Sequence, residues 1–234
     1  EPMLTFDIVL HLGSLISVLI YYRNRLQQII ISLFKWLFHK NLMTENDRYH
    51  FQFIPLVIIA TLPAVLIGLL FKDIVEKMFA STSFVSISLC ITALILFLTR
   101  FLKKGDNDNI LWWQALIIGS AQAFAITPGI SRSGSTIATS VYLGIKPERS
   151  AEFSFLLSIP AIVGAFILSL GEISHAPSSS LSMTNMLVGA IIAAIVGYIS
   201  IKYLLVLLTK RKLHWFSYYL IIIGILGLWS SSNI

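Results

Sequence analysis

Residues 127–136 carry the side chains of this chain that are best suited to chemistry. They read Thr-Pro-Gly-Ile-Ser-Arg-Ser-Gly-Ser-Thr, with Arg132 near the centre. The guanidinium of Arg132 presents five N–H donors in a planar fork that matches the oxygens of a phosphate group. At bilayer depth a guanidinium costs from about 3 to more than 10 kcal/mol, so an arginine inside apolar sequence marks a functional site. Arg132 is therefore the first candidate for anion binding.

The neighbours of Arg132 add further donors. The hydroxyl side chains are Ser131, Ser133, Ser135 and Thr136, and the glycines that let backbone amides approach a ligand are Gly129 and Gly134. A helix that restarts near Gly134 would direct its N-terminal amides and the positive end of its dipole at the ligand. These groups predict an anion site, best matched to phosphate. The alternative is that the serines and glycines serve close helix packing and that Arg132 extends to the membrane interface.

The elements that position this stretch are predicted to be membrane helices. Hydrophobic residues make up 56% of the chain and charged residues only 12%, a balance typical of an integral membrane protein. Six apolar runs are long enough to cross or nearly cross a bilayer: 6–22, 51–71, 84–101, 151–170, 186–208 and 216–229. Lipid cannot satisfy backbone hydrogen bonds, and no alternation of period two suggests a barrel. The predicted fold class is an all-α polytopic integral membrane protein with about six transmembrane helices.

The distribution of basic residues predicts which loops face the cytoplasm. Lysines and arginines concentrate in residues 23–50, 100–108, 146–149 and 202–212, whereas residues 171–183 contain none. Basic loops stay on the cytoplasmic side of a membrane. The same loops explain the net charge of +6, so no nucleic-acid partner is expected.

The segment that carries Arg132 is predicted to be a re-entrant helical hairpin at about residues 110–145. Both of its flanks are basic, so the chain between them crosses the membrane an even number of times. Residues 110–126 and 135–145 are each short for a span, and Pro128 with Gly129 breaks the pattern between them. A hairpin that enters from the cytoplasmic side and turns near mid-membrane satisfies both observations. Irregular backbone at that depth has to face protein or a wet cavity.

A weak internal repeat predicts an inverted-repeat topology. Residues 6–14 and 153–160 each open a span of similar length, and the basic loops give these two spans opposite directions. The chain is then a single membrane domain, 1–234, with a first repeat at about 1–105 and a second at about 106–234. The first repeat has no room for a hairpin before its first span, so it is expected to be N-terminally incomplete. Two unrelated apolar helices remain the alternative.

Several other polar residues are weaker candidates. Gln122 lies in the descending arm of the hairpin, where it could hydrogen-bond phosphate or water but not act as a base. His11 could be a base, although a packed helix histidine is the favoured interpretation. Glu152 near a helix start is expected to cap that helix. Asp106 and Asp108 lack the downstream glutamate of a calcium loop, so a solvated turn is expected there.

At this point the residues show a family resemblance. Pro128-Gly-Ile-Ser-Arg-Ser-Gly-Ser-Thr136 resembles the signature Pro-Gly-x-Ser-Arg-Ser-x-x-Thr of the undecaprenyl pyrophosphate phosphatases, also called the bacitracin-resistance protein family. Three further segments are similar to family segments and occur in the same order. They are Phe6-Asp-Ile-Val-Leu-His-Leu-Gly13, Pro63-Ala-Val-Leu-Ile-Gly-Leu-Leu-Phe71 and Ala151-Glu-Phe-Ser-Phe-Leu-Leu-Ser-Ile-Pro160. The resemblance covers essentially the whole chain, and the signature is highly specific.

The resemblance implies hydrolysis of undecaprenyl diphosphate to the monophosphate, which recycles the lipid carrier for peptidoglycan synthesis and confers bacitracin resistance. By motif position, the implied catalytic residues are Arg132, Ser131 and Ser133, with Arg132 as the phosphate clamp. The implied substrate-binding residues are Gly129, Gly134, Ser135, Thr136 and Gln122. A divalent cation, Mg²⁺ or Ca²⁺, is expected as cofactor. The expected location is the bacterial inner membrane, and the expected partners are the polyprenyl diphosphate and membrane lipid, with a homodimer as a further candidate.

One departure from the family bears on activity. The family's second signature, two glutamates followed by a serine-rich turn that ends in histidine, is not present in these 234 residues. It supplies the expected base and the carboxylates for the metal, so a chain without it is expected to be inactive. The sequence therefore predicts either part of a longer protein or an inactive product. Two other functions stay open: a transporter or flippase for a phosphorylated polyprenyl lipid or anion, and a structural membrane subunit.

Overall fold

The fold is all-α, as predicted from the sequence. The computed structural model describes residues 2–102, 105–173 and 183–232, and within that part it contains eleven α-helices and no extended β-strand. The helices are α1 Pro2–Tyr21, α2 Arg23–Phe38, α3 Glu45–Phe51, α4 Phe53–Leu70, α5 Lys72–Phe79, α6 Thr82–Leu98, α7 Trp112–Phe124, α8 Arg132–Tyr142, α9 Pro147–Ile173, α10 Met183–Thr209 and α11 Trp215–Ser232.

Five helical segments of the described chain are long and apolar enough to cross a membrane. They are Glu45–Leu70, Thr82–Phe101, Pro147–Ile167, Thr184–Thr209 and Trp215–Ser232, and the shorter apolar helix Ile8–Tyr21 precedes them. Each of the six predicted apolar runs is thus a helix, and the prediction of an integral membrane protein is confirmed. Most of the predicted outer stretch, 171–183, and Lys103 and Lys104 lie outside the described residues.

The chain divides into two compact units, and the first contains Glu1–Ile54 and Phe155–Leu204. Its helices α1 and α10 pack through small residues. A Cβ atom added to Gly13 would lie 2.9 Å from the Cβ of Ala193, and one added to Gly197 would lie 2.6 Å from the Oγ of Ser17. Close backbone approach of this kind is the usual way in which membrane helices associate.

The second compact unit contains Pro55–Ser154 and Leu205–Ile234. Here α6 packs along α11, where a Cβ on Gly224 would lie 3.0 Å from the carbonyl oxygen of Ser86. Helix α7 packs on α4, where a Cβ on Gly119 would lie 2.6 Å from the Cα of Ala60. This unit contains all of residues 127–136. The division into repeats at about 1–105 and 106–234 stays a prediction.

Helices α7 and α8 form an antiparallel pair whose base is closed by backbone hydrogen bonds. The N–H of Asn107 donates to the carbonyl of Gly144 at 3.3 Å, and the N–H of Lys146 donates to the carbonyl of Asn107 at 2.9 Å. The two ends of the hairpin, at Asn107 and Lys146, therefore lie side by side. At 1.5 Å per residue the arms are about 20 and 17 Å long, which is shorter than a hydrocarbon core of about 30 Å. These dimensions suit a hairpin that enters and leaves on one side of a membrane.

Candidate anion-binding site at the hairpin turn

The second arm of the hairpin begins at Arg132 because Ser131 caps it. The Oγ of Ser131 accepts a hydrogen bond from the N–H of Gly134 at 3.1 Å, and its carbonyl accepts one from the N–H of Ser135 at 2.8 Å. Serine is among the preferred N-cap residues, which explains why the helix starts two residues before the predicted restart near Gly134. The amides of Arg132 and Ser133 are the first two of the helix. Within the described chain these two N–H groups have no hydrogen-bond partner, and they form part of the positive end of the helix dipole.

Gly129 lets the turn lie directly against α6. Its φ of +86° is in the left-handed region, which residues with a side chain rarely adopt. A Cβ at this position would lie 2.8 Å from the Cβ of Ser88 and would collide with the carbonyl oxygen of Val85. The glycine is thus required both by the backbone conformation and by the space available.

Thr92 of α6 holds the turn through two hydrogen bonds. Its Oγ1 donates to the carbonyl of Gly129 at 3.1 Å and accepts from the N–H of Ser131 at 3.1 Å. Thr92 is fully buried. Sequence reasoning missed this residue, although a threonine inside an apolar span is a signal, because its hydroxyl must find a partner when lipid or protein surrounds it.

The guanidinium of Arg132 includes a buried donor that the described protein does not satisfy. The side chain lies mostly inside, and its Nη1 atom is buried without a hydrogen-bond partner among the described residues. A buried donor of a charged group that lacks an acceptor is costly. The arrangement is stable if an anion supplies the acceptor, which supports the interpretation of Arg132 as a ligand-binding residue.

Gln122 and Ser135 add two more buried polar groups near the turn. Both side chains are 2% exposed, and in the described part of the chain neither the amide of Gln122 nor the Oγ of Ser135 has a partner. The register of the hairpin follows from Gln114, whose Nε2 donates to the carbonyl of Leu143 at 3.2 Å. Gln122 lies eight residues after Gln114 on α7, and Ser135 lies eight residues before Leu143 on α8. The two side chains therefore occupy about the same level of the hairpin.

The remaining predicted hydroxyls differ in their surroundings. The Oγ1 of Thr136 lies 2.6 Å from the Oγ of Ser154 on α9 and also reaches the carbonyls of Arg132 and Ser133, so it is fully engaged within the protein. Ser154 was missed by sequence reasoning. The hydroxyl of Ser131 is occupied by the helix cap, whereas that of Ser133 has no partner among the described residues. The structure therefore places all the candidate residues on one hairpin but leaves only some of their polar groups open.

The other polar candidates lie in separate settings. Glu152 accepts a hydrogen bond from Nη1 of Arg149 at 2.7 Å, and Nε of Arg149 donates to the carbonyl of Asp108 at 3.1 Å. Asp108 also pairs with Lys146 beside the hairpin base. Glu152 belongs to the second turn of α9 and so is not the cap that the sequence indicated. His11 lies on an exposed side of α1.

No metal site is formed by the described residues. They contain no group of three or more His, Cys, Asp or Glu side chains that could hold an ion. The residues present therefore do not fit the divalent cation that the family resemblance implies. The charge complement of the hairpin turn comes from a guanidinium and backbone amides.

The fold and the turn together define a helical integral membrane protein in which a hairpin carries a half-buried arginine at the start of a helix with open amides. The chain belongs to the BacA family: the family described as "Bacitracin resistance protein BacA" matches residues 1–226. This finding confirms the resemblance that the signature indicated.

Curated relatives carry consistent names. Undecaprenyl-diphosphatase 1 of Bacillus cereus is 39% identical over 225 residues, which are 96% of this chain and 82% of that protein. Undecaprenyl-diphosphatase of Carboxydothermus hydrogenoformans is 40% identical over 230 residues, or 96% of this chain and 82% of that protein. Undecaprenyl-diphosphatase of Methanobrevibacter smithii is 39% identical over 233 residues, or 97% and 83%.

Proposed function

We propose that this protein hydrolyses undecaprenyl diphosphate to undecaprenyl phosphate and inorganic phosphate. Membership of the BacA family and the names of its relatives support this reaction. The observation that carries it is the buried Nη1 of Arg132, which lacks an acceptor among the described residues and lies at the start of a helix whose first amides are open. A diphosphate head group supplies the missing acceptors.

The turn suits phosphoryl transfer because that reaction depends mainly on positioning and on neutralising charge. Arg132 binds two phosphoryl oxygens through its fork, and the amides of Arg132 and Ser133 donate to the same group. These donors are fixed before the substrate arrives, so they stabilise developing negative charge without reorganising. The polyprenyl tail stays between helices in lipid, and only the head group enters the hairpin.

The other residues of the hairpin divide into two roles in this proposal. Ser133, Ser135 and Gln122 have hydroxyl or amide groups that the described protein does not use, and these groups bind the head group. Gly129, Gly134, Ser131 and Thr136 shape the turn. The oxygen of the Ser131 hydroxyl accepts from the N–H of Gly134, and in this proposal its proton is the part that is left for the phosphate. Whether Ser131 or water attacks phosphorus is tested by trapping a phosphoserine during turnover.

A divalent cation, Mg²⁺ or Ca²⁺, is part of the proposal only through the family resemblance. The described residues do not offer it a ligand set, so no step above depends on it. Phosphate release should fall when a chelator is added and recover with Mg²⁺ or Ca²⁺. Full activity in the chelator would remove the cation from the proposal.

The structure indicates that the protein lies in a membrane, and the proposed location specifies which membrane. The five long apolar helices indicate a membrane protein, and we infer that the membrane is the bacterial inner membrane, which fractionation of the native host tests. A homodimer is the second part of this inference, and light scattering in detergent would test it.

The deciding experiment measures phosphate release from undecaprenyl diphosphate by the full protein in detergent or nanodiscs. The 234 residues alone are expected to be inactive because the family's second signature is not among them. A protein that also carries that signature is expected to release phosphate and to lose this activity in Arg132→Ala. Substrate binding without phosphate release by the parent would instead favour a transporter or flippase for a phosphorylated lipid. An Arg132→Ala variant with parent-like release would overturn the assignment of Arg132.

A further inference from the structure

We propose that Thr92 is a positioning residue for the reaction and acts by fixing the turn that places Arg132. The proposal rests on the proposed function only for its effect on catalysis. Its structural basis is a pair of hydrogen bonds made by the Thr92 hydroxyl on α6. The hydroxyl donates to the carbonyl of Gly129 and accepts from the N–H of Ser131, and each bond is 3.1 Å long.

The chemistry of a hydroxyl explains why a threonine suits this position. A hydroxyl has one proton to donate and lone pairs to accept with, and Thr92 uses its proton for the carbonyl and a lone pair for the N–H. Valine has nearly the same shape and can do neither. The side chain is fully buried, so water is not at hand to replace the lost partners, and the turn would have to move to find others.

Movement of the turn would be transmitted to the site within one residue. Ser131, which Thr92 holds by its amide, directly precedes Arg132 and caps the helix whose first amides form the anion site. Gly129, held by its carbonyl, is pressed against α6 at Val85 and Ser88. Misplacement of a substrate-binding group by about 1 Å lowers rates by about 100-fold. Thr92 therefore controls catalysis without touching the substrate.

The test compares three threonine substitutions in the full protein. Thr92→Val removes the hydroxyl, Thr92→Ser keeps it, and Thr61→Val is the matched control. Thr61 lies in α4 of the same compact unit, and among the described residues its hydroxyl bonds to the carbonyl of Val57 in its own helix, at 2.7 Å, and to no other group. We expect kcat/KM for phosphate release to fall about 10- to 100-fold in Thr92→Val, while Thr92→Ser and Thr61→Val stay within about threefold of the parent.

A second readout is independent of activity. Hydrogen exchange in peptides that cover residues 126–134 should be faster in Thr92→Val than in the parent and unchanged in Thr92→Ser, with exchange in α10 and α11 unaffected. If the parent protein releases no phosphate, the proposed function fails, and this measurement still tests the tie between Thr92 and the turn.

The outcomes are distinct. Parent-like kcat/KM or parent-like exchange at the turn in Thr92→Val would overturn the proposal, and so would equal losses in Thr92→Val and Thr92→Ser. If Thr92→Val aggregates, Thr92→Ala, which also lacks the hydroxyl and has a smaller side chain, takes its place in both measurements.

Discussion

The hydroxyl oxygens of Thr136 on α8 and Ser154 on α9 lie 2.6 Å apart in the protein interior. Thr136 also lies 2.9 Å from the carbonyl oxygen of Arg132 and 3.2 Å from that of Ser133. Carbonyls only accept, so if the proton of Thr136 goes to them, Ser154 donates to Thr136. The pair ties the second arm of the hairpin to a membrane span.

Thr136→Val should destabilise the protein because it leaves the hydroxyl of Ser154 buried without its partner. The expected loss in unfolding free energy is about 1 to 3 kcal/mol. Unfolding in detergent at increasing denaturant would measure it. Thr136→Ser keeps the hydroxyl and is the control. A double variant with Ser154→Ala should lose less than the sum of the single losses, because the two residues share one interaction.

Gly129→Ala should lower both stability and phosphate release. The substitution places a Cβ at positive φ and against Ser88, which forces the turn away from α6. We expect a loss of more than about 2 kcal/mol in unfolding free energy, together with a loss of activity in the same preparation.

The control for this prediction is Gly164→Ala. Gly164 lies inside α9, and a Cβ there would meet no atom within 4 Å. Alanine is favoured over glycine in a helix by about 1 kcal/mol, so this variant should match or exceed the parent in stability. Equal losses in the two variants would show that the conformation at Gly129 is not the cause.

Gln122→Leu should stabilise the protein while weakening its function. The variant removes two buried polar atoms that have no partner among the described residues, and such atoms cost about 1 to 3 kcal/mol each when unsatisfied. We expect a higher melting temperature and a raised KM for undecaprenyl diphosphate. A lower melting temperature would indicate that Gln122 is bonded in the resting protein.

Gln114→Leu is the matched comparison, because Gln114 lies on the same helix and is also buried. Its Oε1 accepts from the N–H of Leu111 at 2.9 Å, and its Nε2 donates to the carbonyl of Leu143. Its replacement by leucine should lower stability. The two glutamines thus differ in the sign of the expected change, although their burial is similar.

Arg132→Lys should abolish most activity although the positive charge is kept. The ammonium is a point charge and cannot form the two parallel hydrogen bonds of a guanidinium to phosphate. We expect phosphate release to fall by about 100-fold or more, an effect comparable with the loss of one oxyanion donor. Stability should change little, since Nη1 of Arg132 contributes no protein hydrogen bond within the described chain.

Much of this architecture is visible in the sequence because local patterns determine it. The apolar runs predicted six helices, and Pro128 with Gly129 predicted the break between the arms. The signature predicted the family. Each of these depends on residues close together in the chain, where composition and spacing carry the information.

The contacts that hold the turn could not be predicted in this way. Thr92 is separated from Gly129 by 37 residues, and Ser154 from Thr136 by 18. Which side chain of one helix meets which group of another depends on the rotation and register of both helices, and periodicity does not determine either at atomic scale. The start of α8 differed from the prediction for a local reason. The sequence suggested that the helix restarts near Gly134, but Ser131 is a strong N-cap residue, so the helix begins at Arg132.

The closed base of the hairpin also has a consequence for how the protein is made. The backbone of Asn107 is bonded to both neighbours of Ile145, Gly144 and Lys146. Because the two ends of the hairpin meet there, no loop between α7 and α8 has to be carried across the bilayer during synthesis. Topology reporters fused after Asp108 and after Lys146 should therefore report the same side of the membrane. Gly119 packs against the backbone of α4, and Gly129 packs against the backbone of α6. Because both contacts need those helices to be formed, we expect the hairpin to enter the membrane after α4 and α6 are in place.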